Sequence, residues 1–247
     1  MPGPPRTRLD IRLTDDGLAA SRDRARALVI AGRVRVNGAV VTKAGAPVAA
    51  DARLEVIEPD FPWVGRGGVK LAYALDTFGI IVTGREALDI GASTGGFTDV
   101  LLQRGARRVV ALDVGHGQLD WRLREDPRVI VQERRNARDL ELSWLPGPVD
   151  VVTMDVSFIS LRLILPALPA VVTPGADVIA LVKPQFEAGR AEVGRGGLVK
   201  DPAVHEAVIA RVTETAAALG LVRLGLTPSP ITGATGNQEF LIHLKPS

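Results

Sequence analysis

The sequence predicts an α/β protein in which a seven-stranded, largely parallel sheet is preceded by a small α+β module. From residue 87 onward, short runs rich in Val, Ile and Leu alternate with helical patterns, as in parallel sheets that are covered on both faces. The last two strand patterns, 221–227 and 238–244, leave no room for a helix between them. We therefore expect an antiparallel final strand at the edge of the sheet.

Composition excludes several classes of protein. No apolar run reaches the roughly 18 to 20 residues of a membrane-spanning helix, and residues 1–6 lack the apolar segment of a signal peptide. We therefore expect a cytoplasmic protein that does not bind membranes. The chain has no cysteine and only three scattered histidines, so disulfides, thiol catalysis and a metal site are not expected.

The basic charge is concentrated near the N-terminus. Residues 1–58 contain 10 basic and 7 acidic residues, whereas the remainder contains 20 and 21. Nine of the ten N-terminal basic residues are arginine. This asymmetry favours a small nucleic-acid-binding module joined to a nearly neutral domain, although a solvated basic face remains an alternative.

The N-terminal module begins with two predicted helices. The first helix starts in 6–13 and ends by Gly17; the second is capped by Ser21 and stopped by Gly32. Alternating residues then predict a hairpin through Asn37-Gly38, a type I′ signal, and a further strand at 54–56.

A Pro- and Gly-rich segment separates this module from the larger domain. The predicted limits are 1–58 for the module, 59–66 for the linker and 67–247 for the domain.

A helix starting at Gly68 carries an apolar stripe with Lys70 on its flank. Strands are then predicted at 87–90, 108–113, 129–132, 149–155, 177–183, 221–227 and 238–244, and helices up to 104, at 161–172 and at 202–219. This order is the arrangement of the Rossmann-like methyltransferase fold.

The turn after the first long strand indicates a nucleotide-type ligand. Residues 88–98, LDIGASTGGFT, lead a buried strand through glycines into a helix. The turn reads GASTGG at 91–96, whereas a dinucleotide fingerprint reads GxGxxG, so the middle glycine is missing. An adenosine ligand with little phosphate therefore fits best, with S-adenosylmethionine as the obvious candidate and a dinucleotide as the alternative. The candidate cofactor-binding residues are Gly91, Ser93, Thr94, Gly95, Gly96, Phe97, Asp113 for ribose hydroxyls, Asn136 and Ala137 for adenine, and Asp155.

Four charged residues form a candidate catalytic set: Lys70, Asp155, Lys183 and Glu239. Three of them stand at ends of apolar strands, where a charge packs poorly unless the strand end opens into a site. Because strand ends of such a sheet share one edge, we expect the three to meet there, with Lys70 beside them on its helix.

The first 58 residues resemble the RNA-binding domain of the ribosomal protein S-four type, through RLD at 8–10, GLAASR at 17–22 and IAGRVRVNG at 30–38. Structured RNA is recognised largely by shape and backbone, for which arginine is suitable. The resemblance implies RNA contacts by Arg6, Arg8, Arg22, Arg26, Arg33 and Arg35, to which the larger domain would add Arg66 and Phe158. The alternative is that some of these arginines pair locally with Asp10, Asp23 or Asp51.

The four charged residues resemble, in order and context, the Lys-Asp-Lys-Glu tetrad of the FtsJ-type RNA ribose 2′-O-methyltransferases. With WVGRGGVKL at 63–71, DIGASTGGFT at 89–98 and KPQFE at 183–187, the whole chain resembles the TlyA (haemolysin-A-like) family. That resemblance implies S-adenosylmethionine-dependent 2′-O-methylation of cytidine in ribosomal RNA or ribosomal subunits, by a monomer. Lys183 would act either as a neutral base or as a cation that stabilises the developing alkoxide.

Three alternatives remain open at this stage. The first is a non-catalytic RNA-binding or ribosome-assembly factor on a methyltransferase scaffold. The second is a haemolysin, as the historical family name suggests, and the third is a nicotinamide-dependent oxidoreductase.

Overall fold

A computed structural model describes residues 6–19, 21–30, 32–57 and 61–247. The chain divides into two compact units, one up to Pro62 and one from Trp63, which are described separately. Residues 59 and 60 of the predicted linker lie outside the described residues.

The N-terminal unit is a small α+β module. Its elements are β1 (Arg6–Arg8), α1 (Leu9–Asp15), α2 (Arg22–Ile30), β2 (Val34–Val36), β3 (Ala39–Val40), β4 (Pro47–Ala49) and β5 (Leu54–Val56). The first predicted helix began too early, because Arg6–Arg8 pairs with Pro47–Ala49 as an antiparallel strand. The predicted hairpin is confirmed: β2 and β3 are antiparallel, and Asn37 and Gly38 have φ values of 50° and 83°, as a type I′ turn requires.

The second unit contains a sheet of seven strands flanked by helices. Its elements are α3 (Gly67–Phe78), β6 (Glu86–Ile90), α4 (Gly96–Gln103), β7 (Arg108–Asp113), α5 (Trp121–Glu125), β8 (Val129–Glu133), β9 (Val149–Met154), β10 (Val172–Val182), α6 (Pro184–Glu187), α7 (Pro202–Ala218), β11 (Leu221–Pro228) and β12 (Phe240–Pro246). The strand order is β11-β12-β10-β9-β6-β7-β8, so the predicted fold class is confirmed.

Two local expectations differ from the structure. The last strand, β12, is antiparallel as predicted, but it lies between β10 and β11, so β11 forms the edge. The helix predicted at 161–172 is replaced by two short 3₁₀ helices, Leu161–Leu163 and Leu165–Ala170. Pro166 and Pro169 explain the second difference, because proline cannot donate the hydrogen bonds that a regular helix needs.

Both faces of the central strands β6, β7, β9 and β10 are buried, which accounts for their nearly continuous apolar sequences. On β9, Val152 and Met154 pack with α7 residues on one face, and Val151 packs with α3 and α4 residues on the other. No helix of the described part of the chain combines the length and apolar character needed to cross a membrane.

The register of the central strands positions one edge of the sheet for a site. Ile90 of β6 and Ala180 of β10 both pair with Met154 of β9, while Val182 pairs with Phe240 of β12. Since β12 runs in the opposite direction, its first residues meet the last residues of β10. The residues that border these strand ends are therefore brought together.

Candidate active site

The four charged residues predicted from the sequence line one cavity of about 590 Å³. Asp155 follows β9, Lys183 follows β10 and Glu239 precedes β12, so strand register places them at the same edge. Lys70 comes from the first turn of α3. The expectation that the four side chains meet therefore agrees with the geometry, whereas their catalytic roles stay predictions.

Within the cavity the four residues form two ion pairs. Lys70 Nζ lies 2.6 Å from Glu239 Oε2, and Lys183 Nζ lies 2.6 Å from Asp155 Oδ1. The exposed fraction is 8% for each lysine and 2% for Glu239, so neither lysine is held at the surface. Lys183 Nζ also donates a hydrogen bond of 2.9 Å to Ser157 Oγ.

The N-termini of α3 and α4 approach each other closely beside this cavity. A Cβ atom on Gly96 would lie 3.0 Å from the backbone nitrogen of Gly68. A Cβ atom on Gly67 would lie 3.6 Å from Asp155 Oδ2. The backbone N–H of Val64 donates to Asp99 Oδ2 at 2.8 Å and fixes the segment before α3 on the first turn of α4. These contacts place Lys70 opposite the glycine-rich turn.

Gly91 holds the turn after β6 in a conformation that other residues rarely adopt. Its φ is 82°, and a Cβ atom there would lie 2.6 Å from the backbone oxygen of Asp155. Asp113 closes the turn from the next strand: its Oδ2 accepts from the Ser93 N–H at 2.8 Å and its Oδ1 from the Gly115 N–H at 2.6 Å.

The predicted cofactor-binding residues fall into two groups. Those that line the cavity are Gly91, Ser93, Thr94, Gly96, Phe97 and Asp155. The others, Gly95, Asp113, Asn136 and Ala137, lie outside its lining. A Cβ atom on Gly95 would collide with the side chains of Leu119 and Leu123, so this glycine permits packing against α5 and the residues before it. Asn136 Oδ1 accepts from the Arg138 N–H at 3.1 Å and caps a short helix.

Asp89 of β6 is a buried acid that connects α4 and β9 next to the turn, a role that the sequence did not predict. It is fully buried and accepts hydrogen bonds from Thr98 Oγ1 of α4 at 2.7 Å and Thr153 Oγ1 of β9 at 2.9 Å. Burial raises the pKa of Asp89 to about 6, because its effect is larger than the opposite effect of these hydrogen bonds. An acid inside an otherwise apolar strand was the available sequence signal.

Two phenylalanines stand beside Lys183. Phe158 is 91% exposed, has a φ of 63° and lies 5.1 Å from the ring of Phe186. An exposed aromatic residue in the left-handed region is uncommon and carries backbone strain. Phe158 was among the predicted RNA contacts, whereas Phe186 and Ser157 were not among the predicted site residues. Both line the cavity.

The predicted RNA-binding arginines differ in their surroundings. Arg8 and Arg22 pair with the buried carboxylate of Asp10, at 2.9 and 3.3 Å. The hydrogen bonds from Arg8 hold the pKa of Asp10 at about 2, well below its usual range. Local pairing, the alternative raised by the sequence, therefore applies to these two arginines, although both keep about half of their side-chain surface exposed.

The remaining predicted RNA contacts are mostly accessible. Arg6 and Arg35 are exposed, and the guanidinium of Arg26 is 4.0 Å from Asp23. Arg33 lies over the ring of Phe61, 5.6 Å from its centroid. In the second unit, exposed Arg66 donates to the Thr232 carbonyl oxygen at 3.3 Å. Among the described residues no cluster of three or more His, Asp or Glu side chains is arranged to hold a metal ion.

Two family patterns match the chain. The FtsJ-like methyltransferase pattern covers residues 63–246, and the S4 domain pattern covers residues 7–54. The 16S/23S rRNA (cytidine-2′-O)-methyltransferase TlyA of Mycobacterium tuberculosis is 48% identical over 241 residues, which are 97% of this chain and 90% of that protein.

Other relatives carry a hemolysin name. Hemolysin A of Brachyspira hyodysenteriae is 40% identical over 237 residues, 96% of this chain and 98% of that protein. A solved structure from Streptococcus thermophilus, also under a hemolysin name, superimposes with a TM-score of 0.77 at 44% identity, covering 98% of this chain and 89% of that one. Both likenesses extend over nearly the whole chain.

Proposed function

The chain belongs to the family of FtsJ-like methyltransferases, and within it to the TlyA group, and from this we propose that it methylates the ribose 2′-oxygen of a cytidine in ribosomal RNA. The observation that supports the proposal most strongly is the meeting of Lys70, Asp155, Lys183 and Glu239 in one cavity beside the glycine-rich turn. A binding protein or assembly factor would not need one buried and one largely buried lysine–carboxylate pair at a ligand cavity.

S-adenosylmethionine is the methyl donor of this reaction, and the cavity suits it. Its volume of about 590 Å³ is typical of a small-molecule site. Gly91 and Gly96 form part of its wall, and their lack of a side chain lets the turn pack against the Asp155 and Gly68 backbone at the edge of the cavity. Gly91, Ser93, Thr94, Gly96 and Phe97 would hold the cofactor with Asp155, and its sulfonium supplies the transferable methyl group.

We assign to Lys183 the activation of the ribose 2′-hydroxyl. A hydroxyl is a weak nucleophile, so the site has to orient it and favour the loss of its proton. Asp155 Oδ1 lies 2.6 Å from Lys183 Nζ and holds the amino group in place. The amino group can act in either of two protonation states. As a neutral amine, Lys183 takes the hydroxyl proton; as an ammonium, it stabilises the developing alkoxide.

Lys70 and Glu239 form the second ion pair of the site. Their 2.6 Å pair is nearly buried, and each side chain therefore has a defined position. We assign to Lys70 and Glu239 the positioning of the ribose and of the Lys183 ammonium.

The proposed acceptor is RNA in the ribosomal subunits. The N-terminal module supplies exposed arginines, and Phe158 offers an exposed ring on which a base can stack. Ribosomal RNA is met in the cytoplasm, which is the proposed place of action. We expect the protein to act as a monomer.

Methyl transfer to ribosomal RNA tests this function directly. With labelled S-adenosylmethionine and ribosomal subunits from cells that lack the protein, we expect label on cytidine ribose, detected by mass spectrometry of nucleosides. The same subunits incubated without the protein are the control. Binding to the subunits without any label would instead favour an assembly factor, and label on the base would contradict ribose methylation.

Two arginine variants separate RNA binding from module stability. Arg35→Ala removes an exposed cation, so we expect weaker RNA binding and an unchanged free energy of unfolding. The slope of the logarithm of the binding constant against the logarithm of salt concentration should become shallower by about one. Arg8→Ala removes the main partner of buried Asp10, so we expect the free energy of unfolding to fall. Filter binding across salt concentrations and urea unfolding measure the two effects. Equal unfolding curves for the two variants would contradict the structural role of Arg8.

A further inference from the structure

Lys183 has a second polar neighbour besides Asp155. Its Nζ donates to Ser157 Oγ at 2.9 Å, and Ser157 lies two residues after Asp155 on the loop that follows β9. Both partners and Lys183 itself line the cavity. Ser157 was outside the catalytic set predicted from the sequence.

Two partners define the orientation of the Lys183 amino group more narrowly than one. A single hydrogen bond leaves the group free to rotate about the bond between Cε and Nζ, whereas acceptors in two directions stop that rotation. Nζ is tetrahedral: one position is bonded to Cε, and two N–H groups point at Asp155 and Ser157. The fourth position, a third N–H or a lone pair, then has a single direction. Because the chain occupies the Asp155 and Ser157 directions, that direction is the one available to a ligand in the cavity.

This geometry has the same consequence for either protonation state of Lys183. In the ammonium, two N–H groups point at Asp155 and Ser157, and the third is free for the 2′-oxygen, which gives its proton to water as the methyl group is transferred. In the neutral amine, the two N–H groups keep these acceptors and the lone pair takes the free direction. The lone pair then receives the 2′-hydroxyl proton while the oxygen–methyl bond forms, the sulfur–methyl bond breaks, and S-adenosylhomocysteine leaves.

The loop that carries Ser157 is tied to the segment that carries Lys183. Glu187 of α6 accepts from Ser160 Oγ at 2.5 Å and from the Leu161 N–H at 2.6 Å. Since α6 begins directly after Lys183, these bonds hold both ends of the Lys183–Ser157 contact in one rigid arrangement. Burial raises the pKa of Glu187.

We propose that Ser157 is a positioning residue of the methyl-transfer reaction, which together with Asp155 aims Lys183 Nζ at the ribose 2′-oxygen. The inference rests on the proposed function and adds a fifth polar side chain to the site. It requires the hydroxyl of residue 157 and not merely a small side chain.

Ser157→Ala and Ser157→Thr test the inference, with Ser143→Ala as the matched control. Ser143 is exposed and bonds to Glu141 on a short helix outside the cavity lining. We expect Ser157→Ala to lower kcat by about 10- to 100-fold, with KM for RNA and for S-adenosylmethionine changed less than about twofold. Ser157→Thr keeps the hydroxyl and should restore most of kcat. All variants should unfold like the wild type, because Ser157 is exposed.

The outcomes separate the positioning role from other roles. An unchanged kcat in Ser157→Ala, or a raised KM for RNA at unchanged kcat, overturns the inference. A Ser157→Thr variant as slow as Ser157→Ala overturns it too, because the hydroxyl would then be irrelevant. Wild-type protein that transfers no methyl group under the same conditions would count against the proposed function instead, so the two failures are distinguishable.

Discussion

Replacing Lys183 by alanine is expected to abolish methyl transfer while leaving RNA binding nearly intact. The substitution removes the only lysine amino group that Asp155 and Ser157 hold at the cavity in the described structure. Without it, the site has neither the amine that accepts the hydroxyl proton nor the ammonium that stabilises the alkoxide, and kcat should fall by at least about 100-fold. Single-turnover methyl transfer and filter binding measure the two properties separately.

The exposed lysine Lys200 supplies a matched control for this experiment. Lys200→Ala removes the same charge and the same side chain outside the cavity lining, so its turnover should equal that of the wild type. Wild-type turnover by Lys183→Ala would refute the assigned role of Lys183. Loss of RNA binding in parallel with activity would show that Lys183 acts mainly in binding.

The second large effect is expected for Glu239→Ala. This change leaves the ammonium of Lys70 nearly buried without the carboxylate that lies 2.6 Å away. Breaking a buried ion pair by removing one partner typically lowers the free energy of unfolding by about 3 to 5 kcal/mol. Urea unfolding followed by circular dichroism measures this loss, and methyl transfer should be lost as well.

The double variant Lys70→Met/Glu239→Ala distinguishes the two effects of Glu239. Removing both charges relieves the unpaired ammonium, so the double variant should recover most of the stability. It should stay inactive, because both proposed positioning groups, Lys70 and Glu239, are gone. A double variant that is no more stable than Glu239→Ala would contradict the explanation by an unpaired buried charge.

Several features of the site could be predicted because they depend on short segments. Gly91 is required where the backbone turns at φ 82° beside the Asp155 carbonyl group. The glycine pattern 91–96 therefore predicted a glycine-rich turn at the end of this strand, and its contacts to a ligand stay a prediction. Lys183 and Asp155 stand at the ends of apolar strands, and the rule that parallel strands share a functional edge brought them together.

Other features could not be predicted because they depend on contacts between distant residues. The sequence left open whether the N-terminal arginines contact RNA or pair with local carboxylates, and only the fold shows that Arg8 and Arg22 are the ones that pair with buried Asp10. Gly95 belongs to the same glycine pattern as Gly91, yet its neighbours are Leu119 and Leu123. Sequence spacing cannot distinguish a glycine that borders a ligand from one that admits a packed helix.

The sequence by itself determined the α/β class, the Asn37-Gly38 hairpin, the ligand turn and the charged residues at the strand ends. Backbone preferences and apolar periodicity act over a few residues, so these features can be predicted from short segments of sequence. Tertiary structure alone decided that β12 inserts between β10 and β11, which residues pair as Lys70–Glu239 and Lys183–Asp155, and that Ser157 joins them. Strand pairing and side-chain partners depend on which distant segments pack together, and no local pattern encodes that choice.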